Sequence, residues 1–220
     1  MSRDLPSLRK DIIAAISTAW GESGIAIVRL SGSGSRDLVD SIFRGGAGLS
    51  PSQPRFMKHG FIYDAEENPV DEVLAVWFME PYSYTGEEAA EIHCHGGTVA
   101  ARKCLELCLD GGARMARPGE FTRLAFLNGR IDLAEAESVL GVIRSRSDGA
   151  LKAAAKCLQG LLSERIRGIL EELASLSAAA EAGMDYPDED IPEVRSRDYL
   201  HRLSGVAQQM RDLLSAARAG

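Results

Sequence analysis

The chain has 220 residues, and its 45% hydrophobic and 26% charged content is typical of a folded globular protein rather than a disordered one. The formal net charge is −7, and acidic residues outnumber basic ones in residues 1–120 and again in residues 121–220, which argues against a nucleic-acid-binding module. No segment approaches the ~18 apolar residues of a membrane helix, and no apolar stretch typical of a secretory signal lies near the N-terminus.

The first part of the chain is predicted to consist of strands and two helices. Strands are predicted at 11–17, 25–30, 55–64, 70–79, 89–95 and 113–116, and helices at 35–43 and 98–109. The turn at 66–69 predicts a hairpin between two of these strands. The order of the elements and the hairpin-length turns predict an α+β domain with a mainly antiparallel sheet over residues 1–120.

The rest of the chain, residues 121–220, is predicted to be all-α. Helices are predicted at 120–127, 133–145, 149–182 and 194–217. Asn128-Gly129 ends the first of these, and Asp132 with Glu135 predicts a capping box for the second. Gly183 and Tyr186-Pro187 are expected to end the long helix. Because three helices leave one side of a bundle open, we expect a partial bundle, the first part of a longer helical domain.

Cysteine and histidine positions predict neither a disulfide framework nor a metal site. Cys104 and Cys108 are one helical turn apart and are expected to pack in a core rather than form a disulfide, which fits a reducing cytoplasm. No membrane partner is expected, because no segment is long and apolar enough for a membrane helix. Neighbouring strand residues point to opposite faces, so Cys94 cannot join both His93 and His95 around one zinc ion without a bulge. His95-Gly96-Gly97 is expected to form a turn.

Three charged residues are candidates for ligand contacts. Glu91 is predicted on one strand face together with His93, either as part of a polar outer face or as a carboxylate that accepts two parallel donors of a ligand. Arg29 shares an otherwise apolar strand face, so it forms a salt bridge to a neighbouring strand or contacts a ligand. Arg130 lies between two predicted helix ends, where a cation is solvated or directed at a ligand.

Four segments resemble the MnmE (TrmE) family of bacterial tRNA-modification GTPases, in the family's order and spacing. They are GESGIAIVRLSGSGS (21–35), PYSYTGEEAAEIHCHGG (81–97), RPGEFTRLAFLNGRIDLAEAE (117–137) and DYPDEDI (185–191), so that the resemblance spans roughly residues 10–195. Three positions depart from the family pattern. Arg123-Leu124 stands where the Arg is more often one place later, Gly141 replaces a usual acidic residue, and Arg130 replaces a common Lys.

The resemblance implies that the first domain binds a tetrahydrofolate derivative, 5-formyl- or 5,10-methylene-tetrahydrofolate. Arg29, Glu91 and Arg130 match the family's cofactor-binding positions, with Glu91 as the carboxylate that contacts the pterin. The resemblance also implies a homodimer through this domain, and action with the flavoprotein MnmG on the wobble uridine U34 of tRNA, which binds through the full complex. No catalytic residue and no metal ligand is predicted.

In the family a GTPase domain, which binds GTP, Mg²⁺ and K⁺, is inserted after this point. The sequence contains no GxxxxGK[ST] motif, so we expect no GTP hydrolysis by this chain alone and expect that the GTPase domain and further helices are missing from it. The leading prediction is a folate-binding, dimer-forming portion of an MnmE-type protein. Two alternatives stay open: a stand-alone folate-dependent one-carbon transferase, and a helical assembly module whose folate pocket is vestigial.

Overall fold

The computed structural model describes residues 11–50, 52–185 and 197–219, which belong to two compact units, Met1–Ile131 and Asp132–Gly220. The division after Ile131 lies later in the chain than the predicted boundary after residue 120. The reason is that the helix following residue 120 is tied to the first unit. Asn128 Nδ2 donates to the Thr85 carbonyl oxygen at 2.8 Å, and the hydroxyls of Tyr84 and Thr122 are 3.0 Å apart.

The described residues of the first unit form a seven-stranded sheet and three helices, which confirms the predicted α+β class. The strands are β1 (Ile13–Ile16), β2 (Ser23–Ser31), β3 (Phe43–Arg44), β4 (Lys58–Tyr63), β5 (Pro69–Phe78), β6 (Ala89–Gly96) and β7 (Arg114–Met115). The helices are α1 (Ser35–Ile42), α2 (Thr98–Asp110) and α3 (Glu120–Leu127). The strand order is β3-β4-β5-β6-β2-β1-β7, antiparallel throughout except for the parallel pair β1 and β7.

The predicted turn at His95-Gly96-Gly97 is wrong for its first two residues, because both belong to β6, and only Gly97 lies between this strand and α2. Gly96 pairs with Ser23 of β2. A Cβ atom at position 96 would collide with the Ser23 backbone and hydroxyl, so the glycine allows the two strands to approach closely. The short strand β3 was not predicted, because it follows α1 directly and Phe43 was included in the predicted helix 35–43.

The core of the first unit lies between one sheet face and the helices α1 and α2. Strand alternation directs one set of side chains inward from the two central strands: Ala26, Val28 and Leu30 of β2, and Ala90, Ile92 and Cys94 of β6. Cys104 and Cys108 are fully buried in this core, as predicted. Burial raises the pKa of the Cys108 thiol to about 12, so this thiol stays protonated at neutral pH.

The described residues of the second unit form helices joined by short connections, as predicted. Its helices are α4 (Leu133–Arg144), α5 (Asp148–Leu158), α6 (Leu161–Asp185) and α7 (Arg197–Ala219). The predicted capping box is confirmed: Asp132 Oδ1 accepts from the Glu135 backbone N–H at 2.9 Å, and Glu135 Oε2 accepts from the Asp132 N–H at 2.7 Å.

The single long helix predicted at 149–182 is wrong. The chain leaves helical geometry at Gln159, and Gly160 has a φ of +79°, a left-handed conformation that ends α5. Gly183 does not end α6, which continues to Asp185. The predicted break at Tyr186-Pro187, the acidic segment beyond Asp185 and the predicted helix start at residue 194 lie outside the described residues.

A small apolar cluster joins α6 to α7. Ile169, Leu176 and Val206 are buried, and the Tyr199 hydroxyl donates to the Leu176 carbonyl oxygen at 3.2 Å. Three other apolar residues that recur at helical spacing within the segment 149–182 are exposed: Leu151, Leu158 and Ile166. These apolar positions are therefore buried where α6 packs against α7, and exposed in α5 and in the first turns of α6.

Candidate ligand-binding site

Antiparallel pairing of β2 and β6 places Arg29 directly opposite Glu91. Arg29 Nε donates to Glu91 Oε1 at 2.7 Å, and His93 Nε2 lies 3.1 Å from Glu91 Oε2. Only 14% of the Glu91 side chain is exposed. Both carboxylate oxygens therefore have a partner, and the carboxylate is held in one orientation on the sheet face opposite to the core.

Aromatic rings surround the Arg29 guanidinium. Its central carbon lies 5.5 Å from the centre of the Tyr84 ring and 5.9 Å from that of Phe121, distances typical of cation–π contacts. The guanidinium of Arg130 lies 5.5 Å from the same Tyr84 ring. Arg130 is positioned by its backbone N–H, which donates to the Ala125 carbonyl oxygen of α3 at 2.9 Å.

The three residues predicted as ligand contacts, Arg29, Glu91 and Arg130, line one cavity of about 460 Å³. This volume is within the range of pockets that hold small organic ligands. The other lining residues are Leu30, Ser31, Arg55, Phe78, Pro81, Tyr82, Ser83, Tyr84, Thr85, Ala89 and Phe121. The structure thus brings together residues that are far apart in the sequence, and their role as ligand contacts stays a prediction.

A buried polar network beside the cavity was missed in the sequence. The hydroxyls of Ser31 and Thr85 are 2.6 Å apart, and Ser31 Oγ donates to Glu87 Oε2 at 3.2 Å. Ser83 Oγ lies 3.3 Å from Thr85 Oγ1. The alternation of aromatic and small polar residues in 82–85 could have indicated this network. In an extended segment alternate side chains point to opposite sides, so Ser83 and Thr85 share one side. The network fixes the segment that carries Tyr84.

Arg55 was also not predicted as a cavity residue. It lies in the connection before β4 and is held at the cavity by contacts with residues that are distant in the sequence. Its backbone has a φ of +65°, and its N–H donates to the Trp77 carbonyl oxygen at 2.8 Å. Its Nη2 donates to the Tyr82 carbonyl oxygen at 3.2 Å, and its guanidinium lies 5.3 Å from the centre of the Tyr82 ring. No local sequence pattern pointed to these contacts.

The start of α3, which carries Phe121 into the cavity wall, is held by an ion pair. Arg114 Nη2 donates to Glu120 Oε1 at 2.7 Å and Nη1 to Oε2 at 3.0 Å, while the Arg117 backbone N–H donates to Oε2 at 2.7 Å. The Arg114 guanidinium holds the pKa of the Glu120 carboxyl at about 2, well below its ordinary value. Glu120 is therefore ionised at neutral pH and fixes the entry to α3.

The histidines of β6 do not form a metal site with the neighbouring cysteine. Cys94 is buried in the core, whereas His93 and His95 lie on the opposite sheet face. His95 Nδ1 lies 2.7 Å from Asp71 Oδ1, and this hydrogen bond raises the pKa of His95. In residues 11–50, 52–185 and 197–219 no group of three or more His, Cys, Asp or Glu side chains is arranged to hold a metal ion.

Comparison with known families accounts for both units. The family model described as "GTP-binding protein TrmE N-terminus" matches residues 12–130, and the model described as "MnmE helical domain" matches residues 133–220. The chain belongs to the MnmE (TrmE) family. The family resemblance inferred from the sequence is therefore confirmed, and the junction between the two matches agrees with the division of the MnmE-type chain after Ile131.

Curated MnmE proteins match nearly the whole chain. It is 43% identical over 213 residues to the tRNA modification GTPase MnmE of Heliobacterium modesticaldum, covering 96% of this chain and 46% of that protein. It is 43% identical over 216 residues to that of Carboxydothermus hydrogenoformans, covering 97% and 47%. It is 39% identical over 211 residues to that of Aquifex aeolicus, covering 96% and 46%. The chain thus spans about half the length of these relatives. Among the described residues of this chain, no helix is long and apolar enough to cross a membrane.

Proposed function

We propose that this cavity binds a tetrahydrofolate derivative, 5-formyl- or 5,10-methylene-tetrahydrofolate, through Arg29, Glu91 and Arg130. The observation that carries the proposal is the fixed carboxylate of Glu91 beside two aromatic rings. A pterin presents a ring N–H and an exocyclic amino group as parallel donors, and one carboxylate can accept both.

The hydrogen bonds already made to Glu91 leave room for such a ligand. A carboxylate accepts about four hydrogen bonds, and Arg29 and His93 occupy one position on each oxygen. The rings of Tyr84 and Phe121 offer apolar surface for a flat heterocycle, and Arg130 adds a cation at the cavity wall. The residues present therefore fit the donor pattern, the planarity and the size of a folate.

We further propose that the chain is the folate-holding part of an MnmE-type protein that works with an MnmG-type flavoprotein on U34 of tRNA in the cytoplasm. In this scheme the folate supplies the one-carbon unit for modification at C5, and the residues of this chain bind and orient it. GTP, Mg²⁺ and K⁺ bind outside this chain. The net charge of −7 supports tRNA contacts that lie mostly in other parts of the complex.

The first unit is also proposed to form a homodimer. Besides the family resemblance, the support is a set of exposed apolar side chains on the sheet face opposite to α1 and α2: Ile25, Phe61 and Leu74. Apolar side chains that share one open sheet face favour association with a complementary surface, and a twofold dimer uses the same surface on both subunits.

Equilibrium dialysis of the 220-residue chain against 5-formyltetrahydrofolate tests the folate proposal. We expect saturable binding of one ligand per chain, and competition by 5,10-methylene-tetrahydrofolate. A helical assembly module with a vestigial pocket would bind neither compound, so the absence of saturable binding by a folded chain would contradict the proposal and favour that alternative.

A further inference from the structure

The cavity carries more positive than negative charge. Its charged lining residues are three arginines, Arg29, Arg55 and Arg130, and one carboxylate, Glu91. Arg29 is neutralised by its ion pair with Glu91. Neither Arg55 nor Arg130 forms an ion pair with a carboxylate of the described residues. In a chain with a net charge of −7, two arginines at one cavity that have no carboxylate partner among the described residues indicate an anionic group on the ligand.

Arg55 and Glu91 occupy different environments within this cavity. The Glu91 side chain is largely buried between Arg29 and His93, whereas Arg55 and Tyr82 are exposed. The Arg55 guanidinium lies over the Tyr82 ring, and one of its nitrogens donates to the Tyr82 carbonyl oxygen. This hydrogen bond uses few of the N–H donors of a guanidinium, so a bidentate face remains available. The cavity thus has a buried acceptor and a solvent-facing cationic donor.

A folate has the complementary arrangement. Its pterin ring, with the donors that suit Glu91, is separated by an aminobenzoyl group from a glutamate that carries two carboxylates. We propose that Arg55 is a further ligand-binding residue that contacts a carboxylate of the glutamate tail, so that the site selects folates by the charge of that tail. This inference rests on the proposed folate function and adds a residue and a substrate preference to it.

The expected strength follows from the exposure of Arg55. A guanidinium forms two parallel, charge-assisted hydrogen bonds with a carboxylate, but solvent and salt screen such a pair at an exposed position. We therefore expect the contact to increase affinity about 5- to 10-fold, near the upper limit for an exposed ion pair because the contact is bidentate. Additional glutamates linked to the tail add carboxylates and are expected to increase affinity further at low salt.

The test compares 5-formyltetrahydrofolate with the primary amide of 5-formyltetrahydropteroate, which has the same rings and amide linkage but no glutamate and no carboxylate, by calorimetric titration of the 220-residue chain. Wild type is expected to prefer the glutamate-bearing ligand about 5- to 10-fold, and this preference should fall as salt rises. Arg55→Gln should lose the preference and keep its affinity for the tail-less ligand. Gln, like Arg, is unbranched at Cβ, so the left-handed backbone at this position is strained no further.

Two variants control for structural effects. Arg36→Gln removes an arginine that also lies over an aromatic ring, Trp77 at 5.1 Å, but does not line the cavity, and it should keep the preference. Arg55→Lys keeps the charge and should retain part of it. Equal affinity of wild type for both ligands, or a preference that survives in Arg55→Gln, would overturn the role of Arg55. Failure of wild type to bind either ligand would instead overturn the folate function, and the inference with it.

Discussion

Arg29 and Glu91 lie directly opposite each other on β2 and β6, and Arg29 Nε donates to Glu91 Oε1 at 2.7 Å. The pair joins residues separated by 62 positions in the sequence. The sequence left two roles open for the Arg29 side chain: a salt bridge to a neighbouring strand, or a ligand contact. The structure shows the salt bridge, and this ion pair places the guanidinium in the cavity wall, so the proposed ligand contact is compatible with it.

The ion pair between Arg114 and Glu120 should stabilise the first unit in a pH-dependent way. Glu120→Gln is expected to lower the free energy of unfolding at pH 7 by about 1–2 kcal/mol, a modest value because Arg114 is partly exposed. The folded-state pKa is held at about 2, below the ordinary value of 4.5, so the stabilisation is complete above pH 5 and is lost as pH falls from 4.5 toward 2.

Urea unfolding followed by tryptophan fluorescence measures this effect in the first unit, because both tryptophans, Trp20 and Trp77, belong to it. The difference in free energy of unfolding between wild type and Glu120→Gln should decrease by more than half between pH 7 and about pH 3. Glu106→Gln, which removes an exposed pair with Arg102, should change stability by less than about 0.5 kcal/mol. A difference independent of pH would show that charge on Glu120 is not the cause.

The apolar cluster between α6 and α7 should contribute strongly to the free energy of unfolding of the helical unit. Leu176→Ala is expected to cost about 2–4 kcal/mol because it leaves a cavity among buried side chains. Leu170→Ala, on the same helix but exposed, should cost less than about 1 kcal/mol with the same change in helix propensity. Thermal unfolding monitored by circular dichroism compares the two variants. Equal losses would contradict the assignment of this cluster.

The open sheet face should hold the proposed dimer together. Ile25→Asp places a charge among exposed apolar side chains and is expected to shift a dimeric wild type toward monomer by at least about 10-fold in dissociation constant. Val99→Asp, on α2 at the other side of the sheet, should leave the dimer intact. Sedimentation velocity distinguishes these outcomes. A folded wild type that is monomeric at high micromolar concentration would contradict the dimer.

Ligands should differ in their effect on thermal stability. A ligand that binds the folded state raises the melting temperature, by an amount equivalent to about 2.7 kcal/mol at a hundredfold excess over its dissociation constant. We expect 5-formyltetrahydrofolate to raise the tryptophan-detected melting temperature and millimolar GTP to leave it unchanged. A rise specific for GTP would show that this chain contains a nucleotide site that the sequence motifs do not reveal.

Local sequence patterns predicted those features that depend on residues close together in the sequence, such as strand faces and helix caps. Alternation identified the two faces of β6, and the capping box at Asp132 and Glu135 is formed as predicted. The break at Gly160 was missed because the apolar positions continue at helical spacing across it, so periodicity gave no sign of two helices. A single glycine in a left-handed conformation determined the outcome.

Three lining residues of the candidate cavity were identified by resemblance rather than by periodicity, and their role as ligand contacts stays a prediction. Arg29, Glu91 and Arg130 were found through short motifs that resemble a family. The pairing register that joins Arg29 to Glu91, and the contact of Arg55 with Tyr82, arise from tertiary packing between distant segments. Such contacts leave no periodic trace in the sequence, and for this reason Arg55 and the Ser31–Thr85 network became visible only in the folded chain.

Calorimetric titration of 5-formyltetrahydrofolate into wild type, Glu91→Ala and Glu91→Gln tests the central claim most directly. Glu91→Ala should weaken binding by ~10- to 150-fold, because it removes an acceptor of two charge-assisted hydrogen bonds, and Glu91→Gln should lose part of this. Glu72→Ala, which removes an exposed carboxylate of the adjacent strand outside the cavity, should bind as wild type does. Unchanged affinity in both Glu91 variants, with tryptophan fluorescence like that of wild type, would contradict the assignment of this cavity as the folate site.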